Sequence, residues 1–206
     1  MMSSNIKGYL NLIILFPPGL GGNHLRNIIM INSIFSDESL IKDIERYYDE
    51  VTTNYNFAHY RERSLHRDVV ENYINSDNNL LCGHIAEYMW ASDILENLPK
   101  KLFLTIDFEK IAKESAEFSR MLKSNPSIEN SYFFQEQATI YNLSTVAKLT
   151  NSDEIDHYRI DSSLLFTRSI DGLLDFLSRE LELTYTDEQI KIIKHIHKIW
   201  AERNLI

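Results

Sequence analysis

The stretch Tyr9-Leu10-Asn11-Leu12-Ile13-Ile14-Leu15-Phe16, followed at once by Pro17-Pro18-Gly19-Leu20-Gly21-Gly22-Asn23-His24-Leu25, decides the fold. The consecutive apolar residues Leu12 to Phe16 leave no polar face. They predict a strand covered on both sides, as at the centre of a parallel sheet. Pro17 and Pro18 stop that strand, since proline donates nothing to a ladder. From Asn23, the residues Leu25, Ile28, Ile29, Asn32 and Phe35 recur at helical spacing and predict a helix ending near Ser36. Strand, glycine turn and helix in this order make the frame of an anion site. Glycines let main-chain N–H groups converge, and the first helical turn adds unpaired donors and a positive dipole end.

Working outward, Ser36 is placed to cap a second helix, with Asp37 and Glu38 in its first turn and Leu40, Ile41, Ile44, Tyr47 and Tyr48 on its buried side. A third helix is expected within Arg61 to Asn75. The polar turn Ser76-Asp77-Asn78-Asn79 then leads into Leu80-Leu81-Cys82-Gly83-His84-Ile85, read as a second buried strand ending at Gly83 or His84. Leu102 to Ile106 predicts a third strand, Phe108 to Leu122 a helix, Tyr132 to Thr150 another, and His157 to Ile160 a short strand. Ser169 to Leu181 predicts a helix. A capping-box pair, Thr186 and Gln189, opens the last one, with Ile190, Ile193, Ile196 and Trp200 as its apolar face. Strands alternating with helices imply an α/β protein, a three-layer α/β/α arrangement around a mostly parallel sheet.

The chain has 206 residues, 44% of them hydrophobic, which suits one domain over residues 1–206. Only 6 glycines and 4 prolines argue against a turn-rich sandwich. The single cysteine, Cys82, excludes an internal disulfide framework and favours a reducing, cytoplasmic setting; in its apolar run it reads as a small buried hydrophobe. No membrane span or signal segment is expected, because the run Leu12 to Phe16 is too short. A net charge of −9 gives no general attraction to nucleic acid or anionic membranes, so any anion site must be local. The cluster His59, Arg61, Arg63, His66 and Arg67 either reaches towards such an anion or pairs with Glu62 and Asp68.

The loop lacks the Lys-Ser/Thr pair of a Walker A motif, and His24 stands where a dinucleotide fingerprint has its third glycine. The stretch Pro18 to Leu25 resembles instead the phosphosulfate loop of the sulfotransferase family, a P-loop fold that uses 3′-phosphoadenosine-5′-phosphosulfate. The resemblance implies that Gly19, Gly21, Gly22, Asn23, His24 and Leu25 hold the nucleotide. It further implies that His84, ending a strand in Cys82-Gly83-His84-Ile85, is the base that deprotonates an acceptor; imidazole suits this role because it titrates near neutrality. A hydrogen-bonded strand-end histidine is the alternative. Ser115, eight positions after Asp107, matches the family's 3′-phosphate serine. Asp107 stands where the family has arginine, and a carboxylate there repels a phosphate. Gly19 and Leu20 replace the family's lysine and serine, which removes a loop cation; Arg26, Arg61, Arg63 or Arg67 could approach an anion in space, and His24 is either a further donor when protonated or a plain helix-start residue.

No metal is expected. Cys82 and His84 share a strand face without a second pair, and His195 and His197 point about 200° apart on a helix. The latter read as part of a solvated basic face with Lys191, Lys194 and Lys198. Three functions follow: sulfuryl transfer to a hydroxyl or amine acceptor, binding of another nucleotide or phosphorylated small molecule, and a non-catalytic binding module.

Overall fold

The computed structural model describes residues 11–16, 21–50, 65, 67–73, 79–84, 88, 92–95, 97–98, 101–107 and 157–205, without the side chains of residues 72, 73, 79 and 107. The helices expected over residues 108–122 and 132–150 lie outside the described residues.

Among the described residues four strands, β1 (Asn11–Phe16), β2 (Asn79–His84), β3 (Lys101–Asp107) and β4 (His157–Asp161), form one sheet in the order β2-β1-β3-β4. Every pairing is parallel, with Leu12 opposite Leu80 and Leu102, and Phe16 opposite His84. The unbroken apolar run accounts for the place of β1: each of its residues is buried, a condition only an inner strand covered on both faces meets.

Side-chain alternation sorts the strands onto two cores. Leu12, Ile14, Phe16, Leu80, Cys82, Leu102, Leu104, Ile106 and Ile160 face one side, where helices α1 (Gly22–Met30), α2 (Glu38–Glu50), α4 (Asp171–Leu181) and α5 (Asp187–Asn204) cover them. Ile13, Leu15, Leu81 and Phe103 face the other, packed by Leu65, by Val69 and Val70 of α3 (Arg67–Tyr73), and by Ile94 and Leu95 of the helical residues 92–95. Period-two alternation with both faces apolar yields three layers, helices on either side of a parallel sheet.

Two boundaries differ from the sequence reading. Helix α1 ends at Met30 instead of near Ser36. The Ile31 amide is shared between the carbonyls of Asn27 (3.2 Å) and Ile28 (3.3 Å), and the Asn32 side chain accepts from the Ile34 amide (3.0 Å), a local turn that competes with helix continuation. The cap of α2 is Asp37, whose carboxylate accepts from the Leu40 amide at 2.9 Å; a charge beside the positive helix end serves there better than the Ser36 hydroxyl. The capping box of α5 is present as expected, with Gln189 N donating to Thr186 Oγ1 at 3.3 Å and Thr186 N to Gln189 Oε1 at 3.0 Å. The same Gln189 side chain donates to the Ile31 carbonyl at 2.8 Å, and Asn32 donates to the Thr184 carbonyl at 2.7 Å, so the end of α1 is tied to the start of α5.

Candidate functional site

In an open parallel sheet, ligands collect beyond the carboxyl ends of the strands where neighbouring connections leave in different directions. β1 meets this condition, since β2 and β3 flank it on opposite sides. Its carboxyl end leads into Gly21, which has φ +73° and ψ 11°, a left-handed conformation that favours glycine. Gly21 opens α1 without a side-chain cap, and the first intrahelical bond is Leu25 N to Gly21 O at 2.9 Å. By helix geometry the amides of Gly22, Asn23 and His24 precede that bond and have no partner within the helix.

Packing also explains the glycines. A Cβ on Gly22 would lie 1.9 Å from the Phe16 ring, and one on Gly21 would lie 2.9 Å from Leu165 and 3.1 Å from Trp200. The turn is therefore pressed onto the strand end beneath it and onto α5 beside it. His84 ends β2 next to this turn: it pairs in register with Phe16 and meets that ring edge-on, centroids 4.9 Å apart. It is half-buried. Cys82, two residues earlier on the same face, is buried and points its thiol at the Gly22 carbonyl at 3.9 Å.

The structure thus brings His84, Gly21, Gly22 and Asn23 to one edge of the sheet. It does not bring all the expected residues there. The Leu25 amide is used within α1 and its side chain is in the core, so Leu25 is corrected from ligand contact to packing residue. The His24 ring is corrected from anion donor to core residue: it is 1% exposed and both of its nitrogens are engaged. Arg26, 2% exposed, donates to Asn27 Oδ1 from Nε (3.2 Å) and Nη2 (3.0 Å). Arg67 pairs with Glu71 (3.0 Å) and Asp93 (3.1 Å) at the surface, and Glu62 lies outside the described residues. Gly19, Leu20, Ser115, His59, Arg61, Arg63 and His66 lie outside the described residues, and the backbone of Asp107 ends β3 in register with Asp161. The Asp161 carboxylate itself accepts from Ser163 N at 2.9 Å and Ser163 Oγ at 2.8 Å.

His24 belongs to a buried polar chain that sequence reasoning did not find. Its Nδ1 meets Tyr48 Oη at 2.6 Å, its Nε2 meets His197 Nδ1 at 3.0 Å, and His197 Nε2 meets the Thr167 carbonyl at 2.8 Å. Trp200 stacks flat on the His24 ring, centroids 4.4 Å apart at 7°. The donors can be assigned. A carbonyl only accepts, so His197 Nε2 carries hydrogen and donates to Thr167. Burial lowers the pKa of both rings, that of His24 with a further push from His197, so each is neutral with one bare nitrogen. His197 Nδ1 is then the acceptor of His24 Nε2–H, and His24 Nδ1 the acceptor of the Tyr48 hydroxyl. Tyr48 accepts in turn from Asn27 Nδ2 at 3.2 Å. His197, read from sequence as part of the solvated face of α5, is 1% exposed, whereas His195 is exposed and meets Asp49 at 2.8 Å. A signal was present in the sequence: Ile193, His197, Trp200 and Asn204 share one helical stripe, and all four are buried.

No protein-family model matches the chain, and no curated protein matches it. Among the described residues no helix is long and apolar enough to cross a membrane, and no group of three or more His, Cys, Asp or Glu side chains is placed to hold a metal ion.

Proposed function

We propose that the chain binds an anionic nucleotide at the β1–α1 turn and transfers a sulfuryl group from 3′-phosphoadenosine-5′-phosphosulfate to a hydroxyl or amine acceptor. One observation carries this reading. Gly21 delivers the uncapped start of α1 to the end of the inner strand β1, and His84 stands at the end of the adjacent strand, in register with Phe16. The Gly22, Asn23 and His24 amides would receive the phosphosulfate oxygens, as helix N-termini receive anions generally. His84 would take the acceptor proton as the acceptor atom bonds to sulfur. The sulfur–oxygen bond to the phosphate breaks in line, leaving adenosine-3′,5′-bisphosphate. The protein's contribution is positioning and charge stabilisation, as in phosphoryl transfer.

A non-catalytic binding module is the second reading. It is favoured by the packing role of both described glycines, which the contacts with Phe16, Leu165 and Trp200 explain without any ligand. Calorimetry with adenosine-3′,5′-bisphosphate tests the binding step, and thermal shifts with ATP, GTP and NAD test its specificity. Absence of heat at millimolar ligand removes the transferase reading. Binding that survives in a His84→Ala variant without any sulfuryl transfer by the unaltered chain supports the module.

A further inference from the structure

We infer that Trp200 is a positioning residue for the β1–α1 turn: its indole, delivered by α5, holds Gly21 in the left-handed conformation from which the Gly22, Asn23 and His24 amides start the helix. Its service to a ligand rests on the nucleotide reading proposed above; its hold on the turn does not. Glycine enters positive φ about as readily as negative φ, so Gly21 permits φ +73° without selecting it. No side-chain cap selects it either. Packing is left to do so. A Cβ on Gly21 would meet Leu165 Cδ2 at 2.9 Å, Trp200 Cζ2 at 3.1 Å and Phe166 Cε2 at 3.5 Å. Leu165 and Phe166 are fixed by their own backbone, since both amides donate to the Ser162 carbonyl, at 2.9 and 2.8 Å.

Trp200 has a second contact with the same segment. It stacks on the His24 ring, centroids 4.4 Å apart at 7°, while its Cζ2 lies against Gly21. Gly21 and His24 bracket the amides proposed to receive an anion, so one indole touches both ends of that short segment. The indole is itself held: it is 3% exposed and meets the Phe166 ring edge-on, centroids 5.1 Å apart at 71°. In a close-packed interior a rigid ring so enclosed has little room to yield. The bond from Leu25 N to Gly21 O, 2.9 Å long and the first of the helix, reads the Gly21 carbonyl directly. Loosening of Gly21 therefore appears first at the Leu25 amide, one turn before it reaches Ile29.

The test uses the full chain, first without ligand. Trp200→Phe keeps an aromatic ring in the core and lacks the Cζ2 atom that reaches Gly21. In this variant the Leu25 amide should exchange hydrogen about tenfold or more faster, while Ile29 and Ile13 to Leu15 keep the parent's rates within about twofold. Unchanged Leu25 exchange overturns the hold on the turn. So does acceleration at all of these amides together, which makes Trp200 a core residue and nothing more. If the variant does not fold, the parent decides: a nuclear Overhauser contact between the Gly21 α-hydrogens and Trp200 Hζ2 is expected, and its absence overturns the hold. Adenosine-3′,5′-bisphosphate is then added, and by calorimetry its Kd should rise about tenfold in Trp200→Phe at a temperature where both chains are folded. Equal Kd values beside faster Leu25 exchange overturn the service to a ligand. No binding by the unaltered chain removes the nucleotide reading, and the exchange rates then decide the hold on the turn by themselves.

Discussion

Two histidine-bearing regions touch the same strand-turn-helix unit and are built in opposite ways. At the α1–α2–α5 junction, His24, Tyr48, His197 and Asn27 are all buried and hand hydrogens along a single direction. At the carboxyl edge of the sheet, His84 is half-buried, leans on Phe16 by a ring contact, and lies beside the amides that begin α1. The junction has closed its hydrogen-bonding capacity inward. The edge leaves the start of α1 without a side-chain cap, at the end of the sheet where ligands of parallel sheets collect. A histidine's surroundings are thus set by which side of the α1 start it meets, more than by its distance along the sequence from the glycines.

The largest effect that would break this contrast is His24→Ala. Removing the ring leaves a void under Trp200 and takes one buried hydrogen-bond partner each from Tyr48 and His197, so a loss of about 3–5 kcal/mol is expected in urea unfolding. A loss below about 1 kcal/mol would mean that the junction is not a closed unit.

Acidification comes next. The folded pKa values of His24 and His197 lie below the ordinary 6.5, so the unfolded chain binds protons first. Stability is complete above about pH 6.5 and falls as pH drops towards the folded values, with a slope approaching about 2.7 kcal/mol per pH unit for two protons. His157, lowered by burial and by Arg159, adds to the same sign. Denaturant midpoints measured between about pH 7 and about pH 5 check this, before carboxylates dominate.

Gly22→Ala sharpens the comparison at its boundary. The added methyl meets the Phe16 ring, and about 1–3 kcal/mol should be lost by overpacking. If nucleotide affinity falls while stability does not, the turn serves the edge alone.

His84→Ala should cost under about 1 kcal/mol of stability, as for a half-buried side chain with ring contact, while abolishing any sulfuryl transfer. The smallest effect is Arg67→Ala, whose ion pairs with Glu71 and Asp93 are exposed; thermal midpoints should not move measurably.

Strands β1, β2 and β3 were legible because burial on both faces leaves a clear signal, an apolar run such as Leu12 to Phe16. The start of α5 was legible because its cap is local, three residues from Thr186 to Gln189. The end of α1 was not, because Asn32 fits the apolar spacing yet uses its side chain to bend the backbone. Within the candidate site, the glycine turn and the strand-end position of His84 could be read from flanking patterns. The partners of His24 could not, since they lie 24 and 173 positions away and only packing brings them together. Lysines on either side of His197 masked its stripe, although Ile193 and Trp200 already marked that stripe as buried.

Gln189 bonds the last turn of α1 as well as its own helix start, and His197 completes the His24 environment. Because synthesis proceeds at about 5–20 residues per second, the 173 positions separating His24 from His197 take roughly 9–35 s to emerge. During that interval the nascent chain holds β1 and α1 without the helix that closes over them. The β1–α1 unit therefore gains its α5 contacts only once His197 has been made.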